Sequence, residues 1–323
     1  MGVFHFMGLG RSPGAVTVAL SYLAARYERW DKDDQQFFAT SGEVGQSAKP
    51  GDVQALVLFT TPEVRQGKVL AQAYIDNRAG FSHGKEVPEG HMRETLYSAL
   101  GKELPHLSGG RARVAVYWCD YDRNRPTQTF ERVARTLLAA KPPGKLGKEV
   151  WVNLTGGTNV LNSAFELASA LTGVPARMYY VLVPTEELKL VRHTANTQWV
   201  ELPIVNAALS QQHLMILLEL PKLPGLLISE LYSRLKRYGQ AFEHVTSPEQ
   251  LNLQYLVQLR SQRLVEFSEQ KGRVSIGPRW EVLERYYEAI PEPVGTGQPD
   301  PITLDELAER EDWFHRDDDL SLE

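Results

Sequence analysis

Two short segments carry the residues with the clearest chemistry. The first, GLGRSPG at Gly8–Gly14, sets Gly10, Arg11, Ser12 and Pro13 directly behind an apolar run. Gly8 and Gly10 allow a sharp turn and let a ligand come close to the backbone. Ser12 is placed to cap a helix whose first residue is Pro13. The second segment, NLTGGTN, repeats the design with Asn153, Thr155, Gly156, Gly157, Thr158 and Asn159, the cap falling near Thr158. A helix start presents N–H groups without intrahelical partners at the positive end of the helix dipole, so both segments read as anion sites. Neither contains a carboxylate, and Arg11 adds a cation. That suits phosphodiesters and argues against metal-dependent chemistry. The familiar nucleotide fingerprints do not fit. A Walker loop needs Gly-Lys-Ser/Thr, which is absent. A dinucleotide loop needs G-x-G-x-x-G, and here Pro13 takes the sixth place. Nor does an acid end a clear second strand about 20 residues later, where a ribose would be gripped. Taken alone, the first segment also reads as a plain strand-to-helix turn.

The elements that must position these segments follow from hydrophobic patterning. Apolar runs at Val3–Leu9, Ala55–Thr60, Val114–Cys119, Val150–Leu154 and Met178–Val183 are continuous rather than alternating, as in strands covered on both faces. Helical periodicity lies at Pro13–Arg29, Phe130–Ala140 and Asn159–Thr172. The alternation predicts an α/β fold, a Rossmann-like and mainly parallel sheet, over residues 1–204. Both glycine turns then sit at carboxyl ends of parallel strands, where open α/β sheets bind ligands. Lys189–Leu202 reads as a closing hairpin, and the pattern between Ile75 and Leu107 is not diagnostic. Beyond Pro203 come helices at Leu209–Leu220, Leu226–Gly239 and Ser247–Gln262, two short strands around Gln270–Gly272, and a last helix. That order is expected of a winged-helix domain, placed at 205–290. The remainder, 291–323, holds eleven acidic residues against two arginines and opens on a run rich in proline. It is expected to be a disordered tail apart from a short helix around Leu304–Phe314.

Composition narrows the classes. The chain has 323 residues, 42% of them hydrophobic, with a net charge of −5 and a single cysteine, Cys119. One cysteine excludes an internal disulfide framework and a cysteine-rich zinc site, and agrees with a cytoplasmic setting. No basic stretch precedes the first apolar run, and no run approaches about 18 apolar residues, so neither a signal peptide nor a membrane span is expected.

GLGRSP after the first strand, NLTGGTN after a later one and a following winged helix together resemble the CRISPR-associated Rossmann-fold (CARF) family. The resemblance covers residues 1 to about 204, and the winged helix extends it to about 290. It implies a homodimer that binds a cyclic oligoadenylate, most often the four-membered ring, across its two-fold axis. Each subunit's two loops would grip half the ring: Gly10, Arg11, Ser12 and Pro13 from one, Asn153, Thr155, Gly156, Gly157, Thr158 and Asn159 from the other. Some members only sense the ring; ring nucleases also cleave it. Many relatives carry lysine where this chain has Asn159, which brings no charge. The implied catalytic set is therefore Ser12 and Arg11 on the phosphate, with Asn159 assisting. A ribose 2′-hydroxyl attacks its own phosphate, without metal or cofactor. The alternative is a transcription regulator that answers to the ring and binds DNA without catalysis. Gln250, Asn252, Gln254, Gln258 and Arg260 would face bases, and Lys271 and Arg273 phosphates. A nucleotide-binding enzyme of other purpose is the third reading.

Weaker signals are read as structural. Arg310 and His315 have the Arg-x4-His spacing of a ribonuclease found fused to CARF proteins, but too few residues surround them for that fold. His83, Lys85 and His91 fall in a polar segment read as solvated loop. Asp120 and Asp122 are expected to pair with Arg123 and Arg125 at the surface, on a segment that could rim the ligand site.

Overall fold

Five continuous apolar runs form strands because helices cover them on both sides. The computed structural model describes residues 2–39, 50–68, 74–76, 81–86, 92–109, 114–140, 148–183, 192–204, 209–221, 224–268, 272–288 and 303–317. The chain divides into two compact units, Met1–Asn206 with Pro299–Glu323, and Ala207–Gln298.

In the first unit the elements run β1 (Gly2–Gly8), α1 (Gly14–Arg29), α2 (Lys32–Phe37), β2 (Asp52–Thr60), α3 (Pro62–Arg65), β3 (Tyr74–Asp76), β4 (Phe81–Glu86), α4 (Met92–Leu107), β5 (Ala115–Asp120), α5 (Pro126–Ala140), β6 (Lys148–Asn153), α6 (Asn159–Thr172), β7 (Arg177–Leu182) and β8 (Gln198–Leu202). The central sheet has the order β12-β5-β2-β1-β6-β7-β8, where β12 is Phe314–Asp317 near the end of the chain. The five inner strands are parallel; β12 and β8 close the two edges antiparallel. From β1 the chain steps outward to β2 and β5, then returns and steps the other way to β6 and β7. The order therefore reverses beside β1, and a crevice is expected at the carboxyl ends there.

Alternate residues of each strand feed two cores. Leu56, Leu58, Val116 and Trp118 join Leu20, Leu23, Leu96 and Leu100 of α1 and α4. Phe6 and Phe59 meet at 5.8 Å, and Phe59 meets Phe165 of α6 at 4.9 Å. α5 packs on α6.

The mainly parallel α/β architecture agrees with the sequence reading, and three details differ. The segment 75–107, without a diagnostic pattern in sequence, contributes the β3–β4 hairpin and α4. Gln198–Leu202 pairs with β7 rather than within a Lys189–Leu202 hairpin, and 189–191 lie outside the described residues. The acidic tail, expected to be disordered around one short helix, holds α12 (Leu304–Arg310) and also β12, hydrogen-bonded along β5. Thr303 and Glu306 form a reciprocal cap at the start of α12. Trp313 and Phe314 are buried. Asp317 accepts from Nε and Nη2 of Arg93, each at 2.8 Å, and from the Tyr97 hydroxyl. Glu311 pairs with Arg135.

The second unit comprises α7 (Gln211–Glu219), β9 (Leu226–Leu227), α8 (Ile228–Leu235), α9 (Pro248–Leu251), α10 (Val257–Ser261), β10 (Val265–Ser268), β11 (Arg273–Ile276) and α11 (Pro278–Glu288). A wider helical turn, Asn252–Leu256, joins α9 to α10. The three strands form an antiparallel sheet in the order β10-β11-β9. Leu231, Leu235, Leu251, Leu259, Val274 and Trp280 share its core. Among the described residues, no helix is long and apolar enough to cross a membrane.

Candidate functional site

The two glycine turns meet because β1 and β6 are hydrogen-bonded neighbours. Their backbones touch. A Cβ added at Gly8 would stand 2.7 Å from the Gly156 carbonyl oxygen. One added at Gly156 would stand 2.3 Å from the Gly8 oxygen and 2.4 Å from the Ala15 Cβ. Gly157 follows with φ +89°, a left-handed conformation that glycine adopts without strain.

Asn153, read from sequence as a ligand contact, is fully buried and works between the turns. Its Nδ2 donates to the Ala15 carbonyl at 3.2 Å, and its Oδ1 accepts from the Thr155 N–H at 2.8 Å. One amide thus ties the start of α1 to the turn before α6. The Thr155 hydroxyl accepts from the Val181 N–H at 2.7 Å, fixing the turn to β7. Thr158 caps α6 as read from sequence: its Oγ1 accepts from the Leu161 N–H at 3.3 Å. Asn159 is the exposed first residue of that helix. At α1 the turn is closed by the Ser12 carbonyl, which accepts from the Ala15 N–H at 3.3 Å. Pro13 already has helical dihedrals, and as the flanking residue it supplies no side-chain cap.

A cleft of about 960 Å³ opens beside these turns, over the carboxyl ends of β1, β2 and β5. Gly10, Arg11 and Thr158 line it; Ser12, Pro13, Asn153, Thr155, Gly156, Gly157 and Asn159 are not among its lining residues. Part of its wall lies outside the segments read from the sequence. Thr61, Pro62, Glu63 and Val64 come from the exit of β2, and Gln128 and Arg132 from α5. Tyr121–Arg125, flagged as a possible rim, do lie on the wall. The signal available was position: each set directly follows a buried strand or lies on the helix after one. Charge is mixed, with Arg11, Arg123, Arg125 and Arg132 facing Glu63 and Asp122. The site is therefore basic on balance, but not free of carboxylates as the two glycine segments alone suggested.

The β5 exit is tightly held. Arg65 grips Asp120 with two hydrogen bonds, 2.8 and 2.7 Å. The Asp120 N–H donates to the Trp313 carbonyl at 2.8 Å, and its own carbonyl accepts from Arg132 at 2.6 Å. His315 Nε2 lies 3.5 Å from the Asp120 carboxylate. Asp120 is thus a buried clamp held by Arg65, not a surface partner of Arg123 or Arg125. Asp122 does pair with Arg125, at 3.5 Å, and accepts from the Asn124 N–H at 2.8 Å. The Tyr121 hydroxyl donates to Thr158 Oγ1 at 3.3 Å, linking the β5 exit to the start of α6, and burial raises its pKa. Glu63 is held below the usual carboxylate range. Its own N–H and the Thr61 hydroxyl are the main causes, with Lys68 and Arg123 adding attraction.

His315 lies in an edge strand and the exposed Arg310 ends α12, so their Arg-x4-His spacing belongs to a sheet edge. His83 and Lys85 stand on β4 rather than in a loop, their side chains lie outside the described residues, and so does His91 as a whole.

No protein-family model matches the chain. An uncharacterised protein of Archaeoglobus fulgidus is 27% identical over 300 residues, which span 84% of this chain and 86% of that protein. Among solved structures, Can2 from Sulfobacillus thermosulfidooxidans in complex with cyclic tetra-adenylate aligns with 8% identity and a TM-score of 0.26. The alignment covers 90% of this chain and 64% of the Can2 chain. A superposition this loose transfers neither a fold nor a ligand.

Proposed function

We propose that the first unit binds a cyclic oligoadenylate, with cyclic tetra-adenylate as the leading candidate. The carrying observation is the meeting of two glycine turns, at the point where strand order reverses, beside a large cleft rich in arginine. Guanidinium groups and helix starts both favour phosphate. The volume, about 960 Å³, lies at the upper end of ordinary ligand sites. The resemblance of GLGRSP and NLTGGTN to the CARF family supplies the ring and the homodimer, and with them a place in type III CRISPR immunity. In this reading two copies place their clefts about a shared axis. Arg11 and Ser12 hold a phosphate, the start of α6 holds a neighbouring one, and the second unit is a winged helix.

Ring-nuclease turnover is the finer part of the proposal. A ribose 2′-oxygen attacks the adjacent phosphorus and the bond to the 5′-oxygen breaks, leaving a 2′,3′-cyclic phosphate and a free 5′-hydroxyl. The proton lost by the attacking oxygen equals the one gained by the leaving oxygen. Arg11 and donors near Ser12 and Asn159 stabilise the charge on phosphorus. Incubation of the purified protein with cyclic tetra-adenylate in a chelator, followed by mass spectrometry, tests both parts. Retention of the ring on the protein supports binding, and linear products support turnover. A ring that neither binds nor changes removes the reading.

DNA is a weaker partner for the second unit. The exposed side of its α9–α10 region carries Leu253 and Val257, 73% and 50% exposed, and Gln250 is occupied by Thr246. Arg273, expected on phosphate, donates to the Gly225 carbonyl at 2.8 Å.

A further inference from the structure

A cleft suited to phosphates also holds an acid on its wall. Glu63 lines the same space as Gly10, Arg11, Arg123 and Thr158. The turn that carries it is anchored on both sides. Thr60 Oγ1 donates to the Leu9 carbonyl at 2.8 Å, and the Tyr121 N–H donates to the Thr60 carbonyl at 2.9 Å. Arg65, two residues on, is clamped to Asp120, and Val64 between them is buried. Glu63 is thus presented by a rigid element wedged between the exits of β1 and β5.

The Glu63 carboxylate is kept ionised by its own N–H and by Thr61. An ionised carboxylate only accepts hydrogen bonds, at about four lone-pair positions, of which those two donors take part. It repels a phosphate. A bound nucleotide can satisfy it only through a donor, and ribose hydroxyls are the donors nearest the phosphates. Position agrees. Glu63 is the first acid beyond the carboxyl end of the strand beside β1, where nucleotide-binding sheets grip the ribose 2′-hydroxyl. In sequence it stands far beyond the usual spacing of about 20 residues from the glycine turn, because α1, α2 and the chain leading to β2 intervene.

The geometry points to Glu63 as the residue that reads ribose, accepting a hydrogen bond from a 2′-hydroxyl of the ligand while the arginines hold phosphate. This rests on the nucleotide reading of the cleft. The test is calorimetric titration of the full chain with cyclic tetra-adenylate and with its all-2′-deoxy counterpart, for wild type and Glu63→Gln. Wild type binds the ribose ring roughly tenfold or more tighter than the deoxy ring, as expected of a hydrogen bond to a charged group. In Glu63→Gln the preference shrinks, the ribose ring weakening while the deoxy ring is unchanged. Equal affinity of wild type for both rings overturns the role of Glu63 and leaves the cleft's nucleotide reading standing. Equal loss of both rings in the variant assigns Glu63 a purely structural part and also overturns it. If wild type binds neither ring, both readings fall together. An unchanged ribose preference in Glu63→Gln also overturns the role, and the wild-type comparison alone can refute it even if the variant does not fold.

Discussion

Gly156→Ala tests the junction on which the site depends. The added Cβ would lie 2.3 Å from the Gly8 carbonyl oxygen and 2.4 Å from the Ala15 Cβ, where ordinary contact begins at 3.4 Å. The turns must separate by about 1 Å, since the oxygen it meets is backbone and no rotamer relieves the clash. Overpacking of this kind costs about 1–3 kcal/mol. For a unit of roughly 200 residues each kcal/mol lowers Tm by about 2–4 °C, so a fall of about 2–12 °C is expected. The separation also pulls Asn153 away from the Ala15 carbonyl and shifts the start of α6 relative to Gly10 and Arg11. Affinity for cyclic tetra-adenylate should drop at least about tenfold, the equivalent of one charge-assisted hydrogen bond. Gly10→Ala is the matched control. Nothing lies within 4 Å of its Cβ and its φ is not left-handed, so stability should change by less than about 0.5 kcal/mol. The new methyl stands in the cleft, however, and affinity should fall without loss of stability. Differential scanning fluorimetry and calorimetric titration read the two effects. A Gly156→Ala protein that melts with wild type and binds the ring equally well would refute the argument that close backbone approach builds the site.

Two further perturbations address what supports the site. His5 is fully buried on β1, and burial pushes its imidazole down to about 3, so it stays neutral in the fold while the unfolded chain protonates near 6.5. Its contribution is complete above pH 6.5 and is lost as pH falls from there toward 3, by up to about 1.4 kcal/mol per unit. Urea unfolding of His5→Leu should therefore show a shallower decline than wild type between pH 6.5 and 5, and parallel curves would contradict it. Trp313 is buried, with the guanidinium of Arg132 5.2 Å and that of Arg135 5.5 Å from its ring. Trp313→Ala should cost about 3–5 kcal/mol in urea unfolding, and a loss below about 1 kcal/mol would show that the returning chain is not part of the core.

Much of the scaffold could be read from residues because single segments carry it. β1, β2, β5, β6 and β7 each hold a mostly apolar run without strict alternation, the pattern that burial on both faces imposes, and α6 has both a threonine cap and a glycine stop in Gly173. The roles of the turn residues were less visible. Asn153 looks like a ligand contact because it is polar and stands at a strand end. Only the fold shows Ala15 and Thr155 engaging both ends of its amide. Glu63 and Arg132 belong to no motif, and only their position near a strand end marks them in the sequence. They reach the cleft through strand order alone, which brings the exits of β2 and β5 beside that of β1.

The acidic tail shows why local composition misleads most where partners are distant. Its charge excess predicts a solvated segment only if the carboxylates have no cations to meet. Asp317 meets Arg93, Glu311 meets Arg135 and Asp305 meets Arg316. Two of these three arginines lie far earlier in the chain, on α4 and α5. The strand that results, Phe314–Asp317, has one large apolar residue and would not be recognised as a strand in isolation. It forms because β5 offers an open edge, and because Trp313 and Phe314 bury apolar surface there. The consequence reaches the cleft. Asp120 at the end of β5 receives Arg65 on its carboxylate and Arg132 on its carbonyl, and gives its N–H to Trp313. The cleft's β5 wall is therefore fixed from α3 and α5 and from the residue that leads into the last strand. Residues 1–204 by themselves would hold the glycine turns but lack the support that Trp313 gives that wall.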